Sequence, residues 1–247
     1  TLSAGRPLRI PTEDAAPGAP SARSAKAGRD RELHVALPGP DRPALPVGAT
    51  VVGLQGVMGH DGRAQRLLLE SAPQAEAVSI PPDPPPAETY IRIVSANLLN
   101  YFNGDGRGGG FPTERGAQTE AEFAAQRDRI RAALARLRPH LLAVQELEND
   151  GFGPASAAHS LLDLLNASGD GDWAVVDPGG GPIGGDVITV GLFYRQRALA
   201  AVGAPEILRG AAFERLSRQP LAQRFRDRAS GEEFLVAVNH LKSKGSA

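Results

Sequence analysis

Three apolar segments between residues 91 and 239 each lead to a polar residue, and this repeated arrangement limits the folds that the sequence allows. Residues 91–97 alternate as a β-strand does and end at Asn97. Residues 141–146 end in an acid, and residues 234–239 are followed by His240. Sites commonly form at strand ends and in the loops beyond them. The three strand-end residues are therefore predicted to form one active site.

Composition excludes some classes of protein. The chain has 247 residues, a net charge of −1 and a hydrophobic fraction of 41%, which suits one large or two smaller globular domains. Its sequence pI of about 6.5 argues against a passive nucleic-acid binder, but an enzyme that acts on DNA needs only a local basic groove. The absence of cysteine excludes disulfides and thiolate metal sites.

The ends of the chain suggest a processed form or an excised fragment. The sequence begins with Thr-Leu-Ser-Ala-Gly rather than with Met, and it stops in the middle of a pattern. It contains no run of about 18 apolar residues and no recognisable signal peptide, so no membrane span is predicted.

Changes in amino-acid composition along the chain predict two domains. Residues 1–32 are rich in Pro, Gly, Ala and Ser and predict a disordered arm. Short strands with Gly at bends, including a strand over residues 50–58, then predict a partial OB-like β region, so that the first domain is residues 1–80. Residues 81–88 form a stiff Pro-rich linker, and residues 89–247 make the second domain.

The second domain begins with a strand-helix-strand unit. The Gly-rich loop that follows Asn97 is not a phosphate-cradling P-loop, because no Gly-Lys-Ser/Thr follows it. Thr119 and Glu122 form a capping box, and the helix that they start runs to about Arg138. Such a unit usually makes a right-handed crossover between parallel strands. Further segments predict a helix over residues 155–166 and strands over residues 173–176 and 187–194.

The acid at the end of the second strand indicates a metal ion. Burying the Glu146 carboxylate without a partner is costly. A hard cation such as Mg²⁺ is a natural partner, and it is often held by only one or two protein carboxylates.

Four motifs, in order, resemble the endonuclease/exonuclease/phosphatase superfamily, and most of all the bacterial extracellular nucleases related to deoxyribonuclease I. The Gly-rich run followed by Phe-Pro-Thr-Glu-Arg-Gly is also typical of that subgroup. The resemblance covers residues 90–247. The motifs are Ser-Ala-Asn-Leu-Leu-Asn-Tyr-Phe (95–102), Glu-Leu-Glu-Asn-Asp-Gly (146–151), Val-Gly-Leu-Phe-Tyr-Arg (190–195) and Asn-His-Leu-Lys-Ser-Lys-Gly (239–245).

The resemblance implies a fold and roles for five residues. The fold is α/β (α+β), part of a two-sheet α-β-β-α sandwich. Asn97 matches the residue that helps to hold the reacting phosphate and the metal, and Glu146 matches the metal-binding acid. His240 matches the histidine that contacts the scissile phosphate and can act as general acid, and Asp186 stands where its carboxylate partner is expected. Arg218, in Ser-Arg-Gln-Pro, matches a phosphate-contacting arginine.

The activity that the resemblance implies is hydrolysis of DNA or RNA with Mg²⁺, Mn²⁺ or Ca²⁺, by a secreted or periplasmic phosphodiesterase. The superfamily also has a Gly-Asp-x-Asn motif and a C-terminal Ser-Asp-His motif, and neither is present before Ala247. The chain is therefore interpreted as the first part of a catalytic domain, with an incomplete active site.

Two alternatives remain open. The same fold could serve a phosphomonoesterase or a phospholipid phosphodiesterase, which activity on small phosphoesters would distinguish. The chain could also be a non-catalytic nucleic-acid-binding module. Against the module, residues 1–89 contain no Trp, Tyr or Phe that could stack on bases.

Overall fold

Two units, Thr1–Pro82 and Asp83–Ala247, make up the chain. The computed structural model describes residues 2–3, 32–36, 49–60, 65–78, 90–168, 171–210, 213 and 218–241. The predicted linker and most of the predicted N-terminal arm lie outside these described residues. Within them, no helix is both long enough and apolar enough to cross a bilayer.

The described part of the first unit consists of short strands. His60, at the end of one strand, pairs antiparallel with Gln65, at the start of the next. The single strand predicted over residues 50–58 is wrong: Gly53 has a left-handed φ of 67°, which interrupts the extended backbone between two strands. The strands are β1 (Leu2–Ser3), β2 (Glu32–Ala36), β3 (Ala49–Val52), β4 (Gly56–His60), β5 (Gln65–Leu69) and β6 (Gln74–Val78).

These strands form two sheets, in the orders β1-β2-β5-β4 and β3-β6. Strands β2 and β5 pair in parallel, and β3 and β6 pair antiparallel. The pairing of the described strands does not close a barrel, and the OB-like assignment stays a prediction.

The elements of the second unit are β7 (Ile93–Tyr101), α1 (Glu120–Leu137), β8 (Leu141–Glu148), α2 (Ala157–Ala167), β9 (Trp173–Val175), β10 (Ile188–Arg195), β11 (Leu199–Ile207), β12 (Leu221–Asp227) and β13 (Glu233–Val238). They form a four-stranded and a three-stranded sheet, in the orders β7-β8-β10-β9 and β11-β12-β13. Strands β7 and β8 are parallel and flank α1 in sequence, as predicted. The remaining neighbours in both sheets are antiparallel.

The core of the second unit lies between these layers. The start of β8, from Leu141 to Val144, is buried on both faces of its sheet. On the helical side, the ring of Phe123 in α1 lies 5.1 Å from the ring of Tyr101. On the other side, Tyr194 and Phe225 join the two sheets, with ring centroids 5.1 Å apart. The predicted α+β class with two packed sheets is therefore confirmed.

Capping side chains fix where the helices begin. Thr119 Oγ1 accepts a hydrogen bond of 3.2 Å from the Glu122 backbone N–H, as the predicted capping box requires. Glu122 Oε2 accepts from the N–H of Gln118, one residue before the cap. Helix α2 begins at Ala157 rather than at residue 155, because Ser156 is its N-cap and accepts from the His159 N–H.

Candidate active site

Asn97 and Glu146 stand at an interruption in the β7–β8 ladder, not at the strand ends that the sequence predicts. Asn97 is opposite Gln145, and the next pair along the ladder is Tyr101 with Leu147. Both strands therefore continue past the two polar residues. Bulges of this kind re-aim side chains and are common next to active sites.

Three residues at the bulge have left-handed backbone conformations without being glycine. The φ angles are 59° at Leu99, 54° at Asn100 and 60° at Glu146. Each costs about 1–2 kcal/mol for an ordinary residue and persists only where the surroundings enforce it. Such strain concentrates at functional sites, so these angles support a site at the bulge.

Hydrogen bonds hold the bulge in this conformation. Asn97 Oδ1 accepts from the Leu99 N–H at 2.9 Å, and Glu146 Oε2 accepts from the Asn100 N–H at 3.1 Å. From α1, Gln126 Nε2 donates to the carbonyls of Leu98 and Leu99, at 2.7 and 3.0 Å. The backbone groups that the bulge removes from the ladder thereby regain partners.

The three residues predicted from the strand ends come together. Asn97 Nδ2 donates a hydrogen bond of 2.8 Å to Glu146 Oε1. His240, two residues after the end of β13, has its Nε2 atom 3.7 Å from the same oxygen. The Glu146 carboxylate thus links strands β7 and β8 of the four-stranded sheet to the end of β13 in the three-stranded sheet.

The surroundings of His240 disfavour protonation of its ring. Burial and the positive charge of Arg218 lower the pKa of His240 below its usual value, and this exceeds the opposite influence of Glu146 and Asp186. The Nδ1 atom is buried and has no hydrogen-bond partner in the described protein. A neutral imidazole has one N–H donor and one acceptor, so His240 can still donate to an anionic oxygen near pH 7.

Asp186 contacts arginines, whereas the resemblance implies a histidine partner. Its Oδ2 atom lies 3.1 Å from Nε of Arg218, and its Oδ1 atom lies 3.7 Å from Arg115. No direct hydrogen bond joins Asp186 to His240 among the described contacts, although the carboxylate is close enough to raise the pKa of that histidine. The paired guanidiniums place positive charge beside His240.

Asn149 fixes the loop that carries Asp186. Its Nδ2 atom donates to the carbonyls of Ile183 and Asp186, at 3.0 and 2.8 Å. Its Oδ1 atom accepts from the Ile183 N–H at 2.8 Å. Asn149 therefore positions the acid and, through it, the arginine contacts.

Two further carboxyl groups follow Glu146 on the same segment. Burial and the negative charge of Asp150 raise the pKa of Glu148 to about 7, against a hydrogen bond from the Asn103 N–H. Burial also raises the pKa of Asp150, which accepts from the first N–H of α2, that of Ala157, at 3.0 and 3.1 Å. Glu148 and Asp150 are therefore hydrogen-bonded to the backbone of the Asn103 loop and of helix α2, rather than to Glu146.

The oxygen atoms near Glu146 suit a hard cation. The described residues contain no group of three or more His, Cys, Asp or Glu that could hold a metal ion. Mg²⁺ does not require one, since it is often bound by one or two carboxylates with several waters. The buried Oδ1 atom of Asn100 has no hydrogen-bond partner, and its own N–H binds Glu146. Carboxylate and amide oxygens are the ligand types that Mg²⁺, Mn²⁺ and Ca²⁺ take, so Glu146 and Asn97 are compatible with these ions.

Sequence reasoning did not identify Arg115, Gln126 or Asn149 as part of this arrangement. Arg115 lies in the Phe-Pro-Thr-Glu-Arg-Gly segment that contributed to the resemblance, so a signal for it was present. Asn149 lies in the Glu-Leu-Glu-Asn-Asp-Gly motif, so a signal for it was present as well. Gln126 lies in none of the motifs and acts on backbone groups, for which the sequence carries no pattern. The roles of Asn97, Glu146, Asp186, Arg218 and His240 stay predictions.

No family model matches the chain, and no curated protein matches it. The chain is similar to the solved catalytic domain of human Nocturnin with bound sulfate, at 20% identity and a TM-score of 0.40, covering 63% of this chain and 51% of that one. An endonuclease/exonuclease/phosphatase family protein of Bacteroides thetaiotaomicron gives 17% identity and a TM-score of 0.41, covering 63% and 52%. One of Leptotrichia buccalis gives 14% identity and a TM-score of 0.38, covering 64% and 56%.

The chain therefore spans about half the length of these solved structures, and similarity at this level carries no conclusion about activity. The bacterial structures are described as members of the same superfamily, endonuclease/exonuclease/phosphatase, that the four sequence motifs resemble.

Proposed function

We propose that this chain carries part of the active site of a divalent-metal-dependent phosphodiesterase that hydrolyses DNA, with RNA as a second polynucleotide substrate. The proposal is carried by one observation: the side chains of Asn97 and His240 both approach the carboxylate of Glu146. Asn97 lies on β7, Glu146 on β8 and His240 just after β13, and the three residues match the family motifs residue by residue.

The chemistry of phosphodiester hydrolysis gives each group a task. The reaction needs positive charge and hydrogen-bond donors near the phosphoryl oxygens, where negative charge increases in the transition state. Arg218 and Arg115 supply guanidinium groups, and Arg218 suits bidentate phosphate contact. We propose that neutral His240 donates a hydrogen bond to a phosphoryl oxygen, because its lowered pKa disfavours the imidazolium.

Glu146 and Asn97 are the residues proposed to hold the metal ion. A bound divalent cation supplies Lewis-acid stabilisation of the phosphoryl group. Asn97 also orients Glu146 through its hydrogen bond, as partners of metal ligands commonly do. The resemblance to extracellular nucleases further supports a location outside the cell or in the periplasm, which fractionation of the source cells would test.

The decisive experiment compares hydrolysis by the polypeptide that the coding sequence specifies with hydrolysis by its Glu146→Gln variant. Supercoiled plasmid DNA and labelled RNA are incubated with Mg²⁺, Mn²⁺ or Ca²⁺, and with EDTA. We expect hydrolysis that EDTA abolishes, and a loss of about 100-fold or more in the variant. Binding of Mn²⁺ to the 247-residue chain is measured in parallel by calorimetry.

Glu206→Gln provides the matched control, because Glu206 is an exposed acid on β11. It should leave both hydrolysis and Mn²⁺ binding unchanged. Hydrolysis that resists EDTA, or equal activity in the Glu146 and Glu206 variants, would refute the proposal. Preference for p-nitrophenyl phosphate or for phospholipid vesicles over DNA would instead identify the phosphomonoesterase or the phospholipid phosphodiesterase.

A further inference from the structure

Arg115 lies on a short turn whose conformation is fixed by hydrogen bonds. The Thr113 N–H donates to the Ala117 carbonyl at 3.1 Å, and Thr113 Oγ1 donates to the same carbonyl at 2.8 Å. Thr113 Oγ1 also accepts from the Gly116 N–H at 3.1 Å. The backbone that carries the Arg115 side chain is therefore held in one conformation by the turn itself.

This turn packs against the bulge that orients Glu146. A Cβ atom at Gly116 would lie 2.7 Å from the Asn100 carbonyl oxygen and 2.8 Å from Cβ of Phe102, so a larger residue would displace the turn. The N–H of Asn100 donates to Glu146. The backbone beside Arg115 is therefore fixed relative to the candidate active site.

Arg115 and Arg218 contact different oxygens of one carboxylate. Arg115 Nη1 lies 3.7 Å from Asp186 Oδ1, and Arg218 Nε lies 3.1 Å from Asp186 Oδ2. Burial lowers the pKa of His240, and the charges of Arg218 and, less strongly, Arg115 lower it further. Because one carboxylate balances only one of two guanidinium charges, this arginine pair keeps a net positive charge that attracts anions.

The Arg115 guanidinium has hydrogen-bond donors to offer to an anion. Its side chain is 42% exposed, compared with 18% for Arg218. The 3.7 Å contact with Asp186 is too long for a hydrogen bond, and the described part of the chain shows no other polar contact of this guanidinium. Arginine carries its N–H donors in a rigid planar fork that matches a phosphate. Arg115 can therefore bind a phosphate without breaking a hydrogen bond within the protein.

The position of Asp186 favours two bound phosphates over one that both arginines share. A phosphate held between the two guanidiniums would also meet the Asp186 carboxylate, and the two negative charges would repel each other. Arg218 is the less exposed arginine and has the stronger effect on His240, so it suits the scissile phosphate. The more exposed Arg115 suits a phosphate beside it.

We propose that Arg115 binds the phosphate next to the scissile one, so that the site prefers a polynucleotide, with its phosphates in series, to a substrate with a single phosphate. The inference rests on the proposed function, which brings a polynucleotide to this site. It makes Arg115 a residue that determines substrate specificity.

The test compares the thymidine dinucleotide TpT, which has one phosphate, with pTpT and TpTp, which carry a second phosphate at the 5′ or the 3′ end. Each dinucleotide competes in EDTA with a fluorescein-labelled oligothymidylate for the polypeptide that the coding sequence specifies, and fluorescence anisotropy gives its dissociation constant. We expect pTpT or TpTp to bind about 10-fold more tightly than TpT, as one added hydrogen-bonded contact between charged groups provides.

Arg115→Gln should abolish this preference and leave the affinity for TpT unchanged, whereas Arg218→Gln should weaken the binding of all three dinucleotides. A merely structural effect of the Arg115 change would lower the affinity for TpT as well. Arg131→Gln is the matched control, because Arg131 is 47% exposed and also pairs with one aspartate, Asp128. It should keep the full preference.

Arg115→Lys provides a second variant if Arg115→Gln does not fold, and it should reduce the preference because an ammonium group cannot bind a phosphate bidentately. Equal affinities for the three dinucleotides, or an undiminished preference in a folded Arg115 variant, would overturn the proposal. Binding in EDTA requires no hydrolysis. Hydrolysis of DNA without the preference would therefore retain the phosphodiesterase and refute the role of Arg115, and an Arg115-dependent preference without hydrolysis would do the reverse.

Discussion

Asn97 and Glu146 belong to neighbouring parallel strands, and a hydrogen bond of 2.8 Å from Asn97 Nδ2 to Glu146 Oε1 joins their side chains at the bulge. The same carboxylate accepts from the Asn100 N–H and faces His240. The Glu146 carboxylate is thus oriented by the side chain of Asn97 on the neighbouring strand and by the irregular backbone that follows Asn97. The geometry of Glu146 therefore depends on neighbours that are not themselves charged.

Replacing Asn97 with Ala should weaken metal binding more than it weakens the fold. Without its amide donor, the Glu146 carboxylate loses one of the two hydrogen bonds that orient it. Loss of such an orienting partner typically reduces metal affinity or activity about 10–100-fold. Calorimetric titration with Mn²⁺ and a thermal melt of the same sample separate the two effects. Unchanged Mn²⁺ affinity in a folded variant would show that Asn97 does not orient a metal ligand.

Replacing Arg218 with Gln should reduce the dependence of DNA binding on salt. If Arg218 contacts a phosphate, the slope of log K against log salt concentration falls in magnitude by about 0.9 for that single contact. Fluorescence anisotropy with a short duplex, in a Glu146→Gln background without added metal, measures this slope.

Arg197→Gln is the matched control for this measurement. Arg197 follows β10, at the end opposite to Asp186, and pairs with Asp172. Its loss should leave the slope unchanged. Equal slopes in all three proteins would contradict a phosphate contact at Arg218.

Two glycines of the same loop should differ in their tolerance of alanine. Gly106 and Gly108 both have positive φ angles, 68° and 93°, so alanine at either position costs about 1–2 kcal/mol of conformational strain. At Gly106 the new Cβ atom would also collide with the Ala155 carbonyl oxygen, which adds about 1–3 kcal/mol as the loop shifts. Urea unfolding of the two variants measures the difference, and equal stabilities would refute the close contact at Gly106.

The regular parts of the second unit could be predicted because their signals are local. An alternating pattern gives β7, a continuous apolar run gives the start of β8, and the Thr119 cap gives the start of α1. Strand β11 was not predicted, because Gly203 and Pro205 interrupt its apolar pattern. Tertiary pairing with β12 forms the strand in spite of them.

The bulge could not be predicted, for a different reason. Leu99, Asn100 and Glu146 take left-handed conformations that sequence rules assign mainly to glycine, so nothing local marks them. The conformational strain at these residues is offset by hydrogen bonds from groups distant in sequence, including Gln126 on α1. The partners of Asp186 likewise depend on two loops meeting in space. The sequence thus predicted the polar residues of the site but not the backbone conformation that orients their side chains.

Stability should fall in mildly acid solution partly because of His140, which lies outside the candidate site. Its Nδ1 atom accepts a hydrogen bond of 3.0 Å from the Arg92 N–H, and protonation removes that acceptor. Burial lowers the pKa of His140 below 6.5, and the positive charges of Arg92 and Arg195 lower it further.

The sign of the effect follows from proton linkage. Below about pH 6.5 the unfolded chain binds a proton that the folded chain still excludes, so the free energy of unfolding falls as the pH drops toward the folded-state pKa. This contribution is fully present above the unfolded-state pKa. We expect His140→Asn, whose side-chain oxygen can accept from Arg92 without titrating in this range, to lose less stability than the unmodified chain. Urea unfolding between about pH 7.5 and pH 5 compares the two proteins, and parallel losses would exclude His140 as a source of the acid sensitivity.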